Sequence, residues 1–542
     1  MNDRFRLSRA HFSVSTIAFF LGACMALMQA LSRATLPLPM RSEAMYYMSM
    51  TAHGVLMALV FTTFFIMGLG YIFARTTLGH ERVNEKVGWI SFWVALFGTV
   101  MVAGAVLTGS STVLYTFYPP LQAHPTFYIG ATILIIGSWI WCWVMIQAYR
   151  AWRADNPGKP IPLAMHGMMA TIIVWILATV GVAWESIFLL IPWSLGLTPT
   201  IDPVLARTLF WWFGHPLVYF WLLPAYAVWY AVLPKVAGGR LFSDRLARVV
   251  FVLFILLSTP VGLHHQFTDP GIPAGWKLAH TFTTFAILFP SMITAFTIIA
   301  SLEVAGRMRG GKGMFGWIRT LPWGDPFVAS ILLAMLTFAI GGFGGAVNAA
   351  YAMNAMVHNT AWIHGHFHLT VGTASALTFM GTTYWLLPRI TGKDLHFKAA
   401  AQVQPWLWMI GMVLFGVVNH ITGLLGMPRR VFDATYGGSP IAARWGEWTT
   451  ITAVGGVVLF VSAMMFVLVV AGTLWWGKES ESPEEFEYAE PLEPDEPEMS
   501  SLWDRMGLWT IVAAVLVAIA YLYPIWSLIS MERFGSPGFK PF

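Results

Sequence analysis

The sequence predicts an all-α polytopic membrane protein with about thirteen transmembrane helices. Of its 542 residues, 57% are hydrophobic and only 11% are charged, whereas soluble domains carry about 25% charged residues. Apolar runs of about 20 residues, the length that crosses a bilayer, recur from one end of the chain to the other. This composition excludes a disordered protein, a collagen, a coiled coil and a secreted disulfide scaffold.

Each predicted helix corresponds to one apolar run. The runs are centred near residues 23, 63, 99, 138, 178, 218, 255, 291, 338, 375, 414, 462 and 519. The first run follows a basic N-terminus, as in a signal peptide, but many runs of equal length come after it. We therefore interpret it as a retained transmembrane helix.

The distribution of Lys and Arg between alternate loops predicts the orientation. If the N-terminus is inside, inner segments hold 22 of the 31 basic residues and outer segments hold 9. Basic residues favour the inner side, so we expect the N-terminus inside and the C-terminus outside.

A composition change near the C-terminus suggests three regions. Residues 1–477 are predicted to form a twelve-helix core, and residues 507–542 the thirteenth helix with an outer tail. Between them, residues 478–506 hold 11 of the 26 acidic residues of the chain, from Glu479 to Asp504, together with four prolines. A segment of this composition cannot bury a core, so we expect a flexible inner linker.

The charged and sulfur-containing residues exclude several kinds of site. The basic residues are scattered through short loops, which excludes a nucleic-acid surface. The two cysteines, Cys24 and Cys142, lie in separate apolar runs and predict neither a disulfide framework nor a two-cysteine metal site.

Histidine placement is the strongest functional signal. Six of the 15 histidines fall in the outer part of the predicted membrane region, on helices 2, 6, 7 and 10. They are His53, His215, His264, His265, His366 and His368. Ionisable groups inside a membrane are costly and usually functional, and neutral imidazole is the commonest metal ligand.

Spacing within the motifs limits what each histidine can do. His366 and His368 point about 200° apart on a helix, so they cannot bind one metal together but can serve two cofactors on opposite faces. His215 and Tyr219 are four residues apart and share a face, beside the helix-breaking Pro216.

Three motifs carry a family resemblance: His215-Pro-Leu-Val-Tyr219, the pair His264–His265, and the histidine-rich stretch from His358 to His368. They resemble the catalytic subunit (subunit I) of haem–copper terminal oxidases of the B family, with its ba-type cytochrome c oxidase. The resemblance covers nearly the whole chain. It implies subunit I architecture, reduction of O2 to water coupled to proton uptake and pumping, and a cofactor set of two haems and one copper ion. The low-spin haem would be b-type and the high-spin haem a-type.

The resemblance also implies a role for each matching residue. His53 and His368 would be the axial ligands of the low-spin haem, and His366 the ligand of the high-spin haem. His215, His264 and His265 would bind the copper called Cu-B, with Tyr219 cross-linked to His215. Arg429, Arg430 and His358 would contact haem propionates.

A stripe of hydroxyl groups predicts the proton route. Tyr226 and Tyr230 fall on the same helix face as Tyr219 and lead inward from the copper site. The next-but-one helix offers Ser291, Thr294 and Thr297, with Ser243 as an entrance. This pattern resembles the K-type channel of the B family. The A-family glutamate of the D channel is replaced by Leu217, so that route is absent.

The sequence assigns no functional role to five other polar residues near the predicted site or inside apolar runs. Asn354 replaces an acid found in the closest family members. Glu185 belongs to a proton route, makes a structural hydrogen bond or lies at the interface. His364 is either interfacial or a hydrogen-bonding neighbour of a ligand. We expect His280 and His420 to be structural.

The partners follow from the resemblance and from the cysteine count. We expect a second subunit with a dinuclear copper site, cytochrome c as electron donor, small single-helix subunits and membrane lipid, in the inner (plasma) membrane of a prokaryote. Quinol as donor, nitric-oxide reduction on the same fold and a non-redox proton-coupled transporter are the alternatives.

Overall fold

The computed structural model describes residues 3–34, 42–481, 485–492 and 500–540. In these ranges the chain is helical, and β-structure is limited to isolated bridges. The long helical segments are α1 (Arg6–Arg33), α2 (Glu43–Leu78), α3 (Glu85–Leu107), α4 (Pro125–Asp155), α5 (Leu163–Ser194), α6 (Pro203–Ala231), α7 (Asp244–Ser258), α8 (Ala274–Met308), α9 (Pro326–Ala349), α10 (362–391), α11 (Lys398–Leu424), α12 (Gly446–Trp476) and α13 (Met506–Ser530).

The helices have the length and composition of membrane spans. Among the described residues, eleven helical segments are long and apolar enough to cross a bilayer. Helices α6 and α10 do not belong to this set, and both carry several of the predicted site residues. The chain is therefore a multi-pass membrane protein whose most polar helices lie among apolar ones.

Close pairs of neighbouring helices build the bundle. Helix α3 packs along α4, α5 along α6, and α11 along α12. Small residues permit the first of these contacts: a Cβ atom on Gly98 would overlap the backbone of α4 at Gly130, and one on Gly137 would overlap Ala95. Small residues at such crossings let two backbones approach, as is typical of helix pairs in membranes.

Irregular backbone occurs where the predicted ligands lie. Helix α2 contains a π-helical turn at Leu56–Phe61, just after His53, and α10 contains another at Val371–Ser375. Helix α7 ends at Ser258, and a 3-10 turn over Leu263–Gln266 follows. Helix α6 continues through Pro216. π-Helical turns inside helices are frequent at functional sites.

Residues 485–492, which we call the inner strap, lie within the predicted acidic linker and make defined contacts with the helical core. The amide of Ala489 donates to the Ala231 carbonyl (2.7 Å), the Leu241 amide donates to the Glu490 carbonyl (2.9 Å), and the Leu492 amide donates to the Leu241 carbonyl (2.7 Å). The Phe486 and Tyr488 side chains also pack inward: Phe486 contacts Phe5 and Trp385, and the Tyr488 hydroxyl lies 2.6 Å from that of Thr76. Aromatic residues at alternate positions hold the strap although its intervening carboxylates face outward. Residues 482–484 and 493–499 lie outside the described residues.

A buried ionic cluster attaches the start of α13 to the core. The carboxylate of Asp504 accepts hydrogen bonds from Arg248 (2.7 Å) and from the Ile161 amide (3.1 Å), and it lies 3.1 Å from the His166 imidazole. Asp244 also binds Arg248. Burial opposes ionisation of Asp504, but the hydrogen bond with His166 and the charge of Arg248 outweigh it and lower its pKa below the ordinary value.

Candidate metal centres

Three imidazoles converge on one point. His215 comes from α6, and His264 and His265 come from the 3-10 turn after α7. One ring nitrogen of each lies within 4.8 Å of those of the other two, which is the one such group among the described residues. A set of three neutral imidazoles suits copper, zinc or iron. The residues present therefore fit a metal ion, as the sequence predicts.

Neighbouring side chains fix two of these rings. The Thr284 hydroxyl donates to the His280 carbonyl (2.6 Å) and lies 3.1 Å from Nδ1 of His264, so Nδ1 of His264 carries the proton and donates. The Nε2 atom of His264 is then free to bind a metal. The indole of Trp211 stacks on His265, with ring centres 3.7 Å apart and planes within 4°. The ligand orientations are thus held before a metal binds.

The second predicted centre lies between His53 and His368. Their ring planes are within 3° of parallel and their ring centres are 6.3 Å apart. Two imidazoles bound through about 2.0 Å bonds to one metal would place their ring centres about 6 Å apart. Each Nδ1 is bonded to a carbonyl, that of Gly22 (2.9 Å) and that of His364 (2.8 Å), which leaves both Nε2 atoms for an iron atom.

His366 lies on the opposite face of α10, as its spacing from His368 predicts. Its Nδ1 donates to the carbonyl of Gly341 in α9 at 2.8 Å, so its Nε2 is the free nitrogen. The adjacent Gly345 leaves room for the ring, because a Cβ atom there would lie 2.8 Å from His366 Cε1. His366 and His368 therefore address two different sites.

All six histidines line one cavity of about 740 Å³. Its volume lies within the range of cofactor and ligand pockets, and its wall is mainly apolar. The cavity joins the space between His53 and His368 to the space between His366 and the three-imidazole group. The tertiary structure thus collects histidines from four separate parts of the chain around one chamber.

The cavity has a cationic wall on one side. Arg429 binds the Asn359 side chain (2.9 Å), while Nε and Nη2 of Arg430 are buried without hydrogen-bond partners among the described residues. Burial, together with the neighbouring Arg430 charge, lowers the pKa of Arg429 to about 10. His358 lines the same wall and is 3.1 Å from the Asn354 side chain. Buried cations without counter-charges suit carboxylates such as haem propionates.

Some of the predicted proton-path residues contact one another across α6 and α8. The Tyr219 ring lies 5.2 Å from His215. Ser291 lines the cavity and interacts with Tyr226, and further from the cavity the Tyr230 hydroxyl donates to Thr294 at 2.8 Å.

The inner end of the row differs in detail from the prediction. Thr297 is buried, and its hydroxyl has no hydrogen-bond partner in the described part of the chain. Ser243 caps α7, accepting from the Leu246 amide. Ser301, which the sequence analysis missed, donates to the Thr297 carbonyl and accepts from the Phe242 amide. Its spacing of four residues from Thr297 on α8 was the available signal.

The open residues have distinct positions. Glu185 is fully buried in a π-helical turn, and neither carboxylate oxygen has a hydrogen-bond partner in the described ranges. His364 lines the cavity and supplies the carbonyl that binds His368. His420 packs against Trp362, with ring centres 4.1 Å apart and planes tilted by 36°.

Comparisons with known proteins agree with this geometry. A family profile described as "Cytochrome C and Quinol oxidase polypeptide I" matches residues 6–458. The cytochrome c oxidase subunit 1 of Thermus thermophilus is 45% identical over 485 residues, covering 88% of this chain and 85% of the relative. That of Synechocystis is 26% identical, covering 86% of this chain and 83% of the relative. A solved structure described as a heme-copper terminal oxidase dimer superposes with a TM-score of 0.95 at 36% identity, covering 100% of this chain and 96% of the other.

Proposed function

The chain belongs to the cytochrome c and quinol oxidase polypeptide I family and is the catalytic subunit of a haem–copper oxidase. On this basis we propose the role of each site residue in the reduction of O2 to water. The observation that carries the proposal is the cavity shared by all six histidines. When bound, haem iron and copper supply the electron transfer to O2. The protein positions these cofactors, excludes water from the site and delivers protons to it.

We propose the following ligand assignments. His215, His264 and His265 bind the copper ion, and His366 binds the high-spin haem. His53 and His368 bind the low-spin haem, while Arg429, Arg430 and His358 hold the propionates. The support is the hydrogen bonding of the rings: His53, His264, His366 and His368 each present one free nitrogen to the cavity because Nδ1 is already bonded. The low-spin haem is b-type and the high-spin haem a-type in this proposal, as in the oxidases that the motifs resemble.

We propose that Tyr219 donates an electron and a proton for O–O cleavage and is covalently linked to His215. The two residues share a face of α6, and their rings meet edge to face at 5.2 Å. Formation of one C–N bond between the rings removes two hydrogen atoms in a two-electron oxidation, for which O2, the substrate of the proposed reaction, is the oxidant. Mass spectrometry of the peptide that contains both residues will show this deficit, and an unmodified mass in an active preparation would remove the cross-link from the mechanism.

Protons reach Tyr219 from the predicted inner side along α6 and α8. The Tyr230–Thr294 hydrogen bond and the Tyr226–Ser291 interaction connect the two helices at successive depths, and Thr297 and Ser243 extend the row toward the loop. Hydroxyl groups with intervening water relay protons without a buried charge.

Electrons enter from a partner subunit. A dinuclear copper site needs two thiolates close together, whereas Cys24 and Cys142 lie in α1 and α4. We propose that subunit II carries this site, receives electrons from cytochrome c and joins this chain, with small single-helix subunits, in the plasma membrane of a prokaryote. An isolated chain that oxidises reduced cytochrome c at full rate would contradict this part.

Metal analysis of the purified complex tests the function. Two haems and one copper ion per complex, with O2 uptake driven by reduced cytochrome c, are the expected result. Two haems with additional non-haem iron would indicate a nitric-oxide reductase, and oxidation of quinol but not of cytochrome c would change the donor. A complex without metal would overturn the proposal.

A further inference from the structure

We propose that His280 is a positioning residue of the copper site, which acts on the backbone of the turn that carries His264 and His265. The inference rests on the proposed copper ligands. Its Nδ1 atom accepts hydrogen bonds from the amides of Gly262 (3.1 Å) and Leu263 (3.2 Å), where that turn begins. His280 itself lies on α8 and is 2% exposed.

These two amides have few other ways to be satisfied. They stand at the start of a 3-10 turn, where N–H groups lack partners within the turn. The backbone here is buried in a membrane protein, and an unsatisfied buried N–H group is costly because no bulk water replaces the lost partner. One imidazole nitrogen therefore sets the direction of the chain just before the two ligands.

The hydrogen bonds also define the protonation pattern of the ring. A nitrogen that accepts from two amides carries no proton, so the proton of neutral His280 is on Nε2. Nε2 has no partner that meets hydrogen-bond geometry among the described residues, and the backbone of Ala520 in α13 lies beside the ring. Nδ1 is thereby engaged by the turn, and among the described residues His280 is not one of the three histidines whose ring nitrogens converge. His280 acts as a support and not as a fourth ligand.

Helix α13 packs against His280 and the start of the turn through Tyr521. The Tyr521 ring lies 5.6 Å from His280 and stacks on Trp212 at 5.2 Å. A Cβ atom on Gly262 would overlap the Tyr521 hydroxyl and the carbonyl of Trp211. Gly262, where the turn begins, therefore lies between α6 and α13 in a space too small for a side chain. Its amide donates to His280.

One turn of α8 holds the copper-ligand turn at two points. His280 binds its backbone, and the His280 carbonyl accepts from Thr284, whose hydroxyl contacts Nδ1 of His264. Loss of the backbone contact leaves the ligands present but poorly placed. Groups that orient metal ligands typically change metal affinity by about 10- to 100-fold.

Three variants of the purified complex separate this role from general stability. His280→Leu removes the acceptor. His280→Asn restores it, because the Asn Oδ1 atom takes the place of Nδ1, whereas the His280→Gln amide reaches the Nε2 position instead. His11→Leu is the matched control, because His11 is fully buried in α1 and, among the described residues, hydrogen-bonds only the Leu7 carbonyl of its own helix.

The measurements are copper per haem, copper retention against a chelator, and the infrared stretch of CO transferred to copper by photolysis. We expect His280→Leu and His280→Gln to lower copper affinity about 10- to 100-fold and to broaden the CO band. His280→Asn and His11→Leu should match the unaltered complex. If His280→Leu does not assemble, the comparison of Asn with Gln decides the question.

Copper retention and CO bands in His280→Leu equal to those of the unaltered complex would overturn the proposal. Equal defects in His280→Asn and His280→Gln would also overturn it, because only Asn replaces the acceptor. An unaltered complex that holds haem but no copper would instead refute the proposed copper ligands.

Discussion

Thr294→Val tests the proton path with a nearly isosteric change. The Thr294 hydroxyl donates to the Pro290 carbonyl (2.9 Å) and accepts from Tyr230 (2.8 Å), and both Thr294 and Tyr230 are buried. Valine removes the acceptor and leaves the Tyr230 hydroxyl unsatisfied, at a cost of about 1–3 kcal/mol. If proton transfer must cross this gap, a barrier raised by that amount slows turnover by about 5- to 150-fold.

The assay is O2 consumption together with proton uptake from the inside of vesicles, in a complex whose haem and copper contents are normal. Thr294→Ser should restore turnover because it keeps a hydroxyl at this position. Thr337→Val is the matched control, because within the described part of the chain the Thr337 hydroxyl hydrogen-bonds only the Leu333 and Ala334 carbonyls of its own helix. Unchanged turnover in both Thr294→Val and Tyr226→Phe would show that protons travel by another route.

Two further predictions concern the haem and the attachment of α13. His53→Leu should abolish the six-coordinate low-spin haem spectrum, because it removes one of two parallel imidazoles. His396→Leu, whose residue lies outside the cavity, should leave the spectrum intact. A normal spectrum in His53→Leu would refute the assignment. Asp504 has a lowered pKa, so its contribution to stability is complete above the ordinary aspartate pKa of 3.8 and is lost as the pH falls through the lowered value. Asp504→Asn should therefore lower the free energy of unfolding at pH 7 by about 1–3 kcal/mol and make stability less dependent on pH in the acid range. Melting temperatures of the variant and the unaltered protein that are equal at pH 7 and at pH 3 would contradict this.

The sequence by itself determined the membrane class, the number of long helices and the identity of the candidate ligands. These features depend on composition and on local spacing. Apolar runs of membrane length give the helices, and the two-residue spacing of His366 and His368 puts them on opposite faces whatever surrounds them. The four-residue spacing of His215 and Tyr219 brings their rings together in the same way, which the structure confirms at 5.2 Å.

The tertiary structure alone decided which polar groups support those ligands. His280 looked like an isolated structural histidine because its partners are backbone amides 17 and 18 residues away, and amides are present at every position of a sequence. Asp504 looked like part of a flexible acidic segment because its partners His166 and Arg248 lie more than 250 residues earlier in the chain. Hydrogen-bond partners of this kind are selected by the packing of whole helices, since a buried polar group must be satisfied by whichever element lies next to it. Periodicity along one helix carries no information about that neighbour.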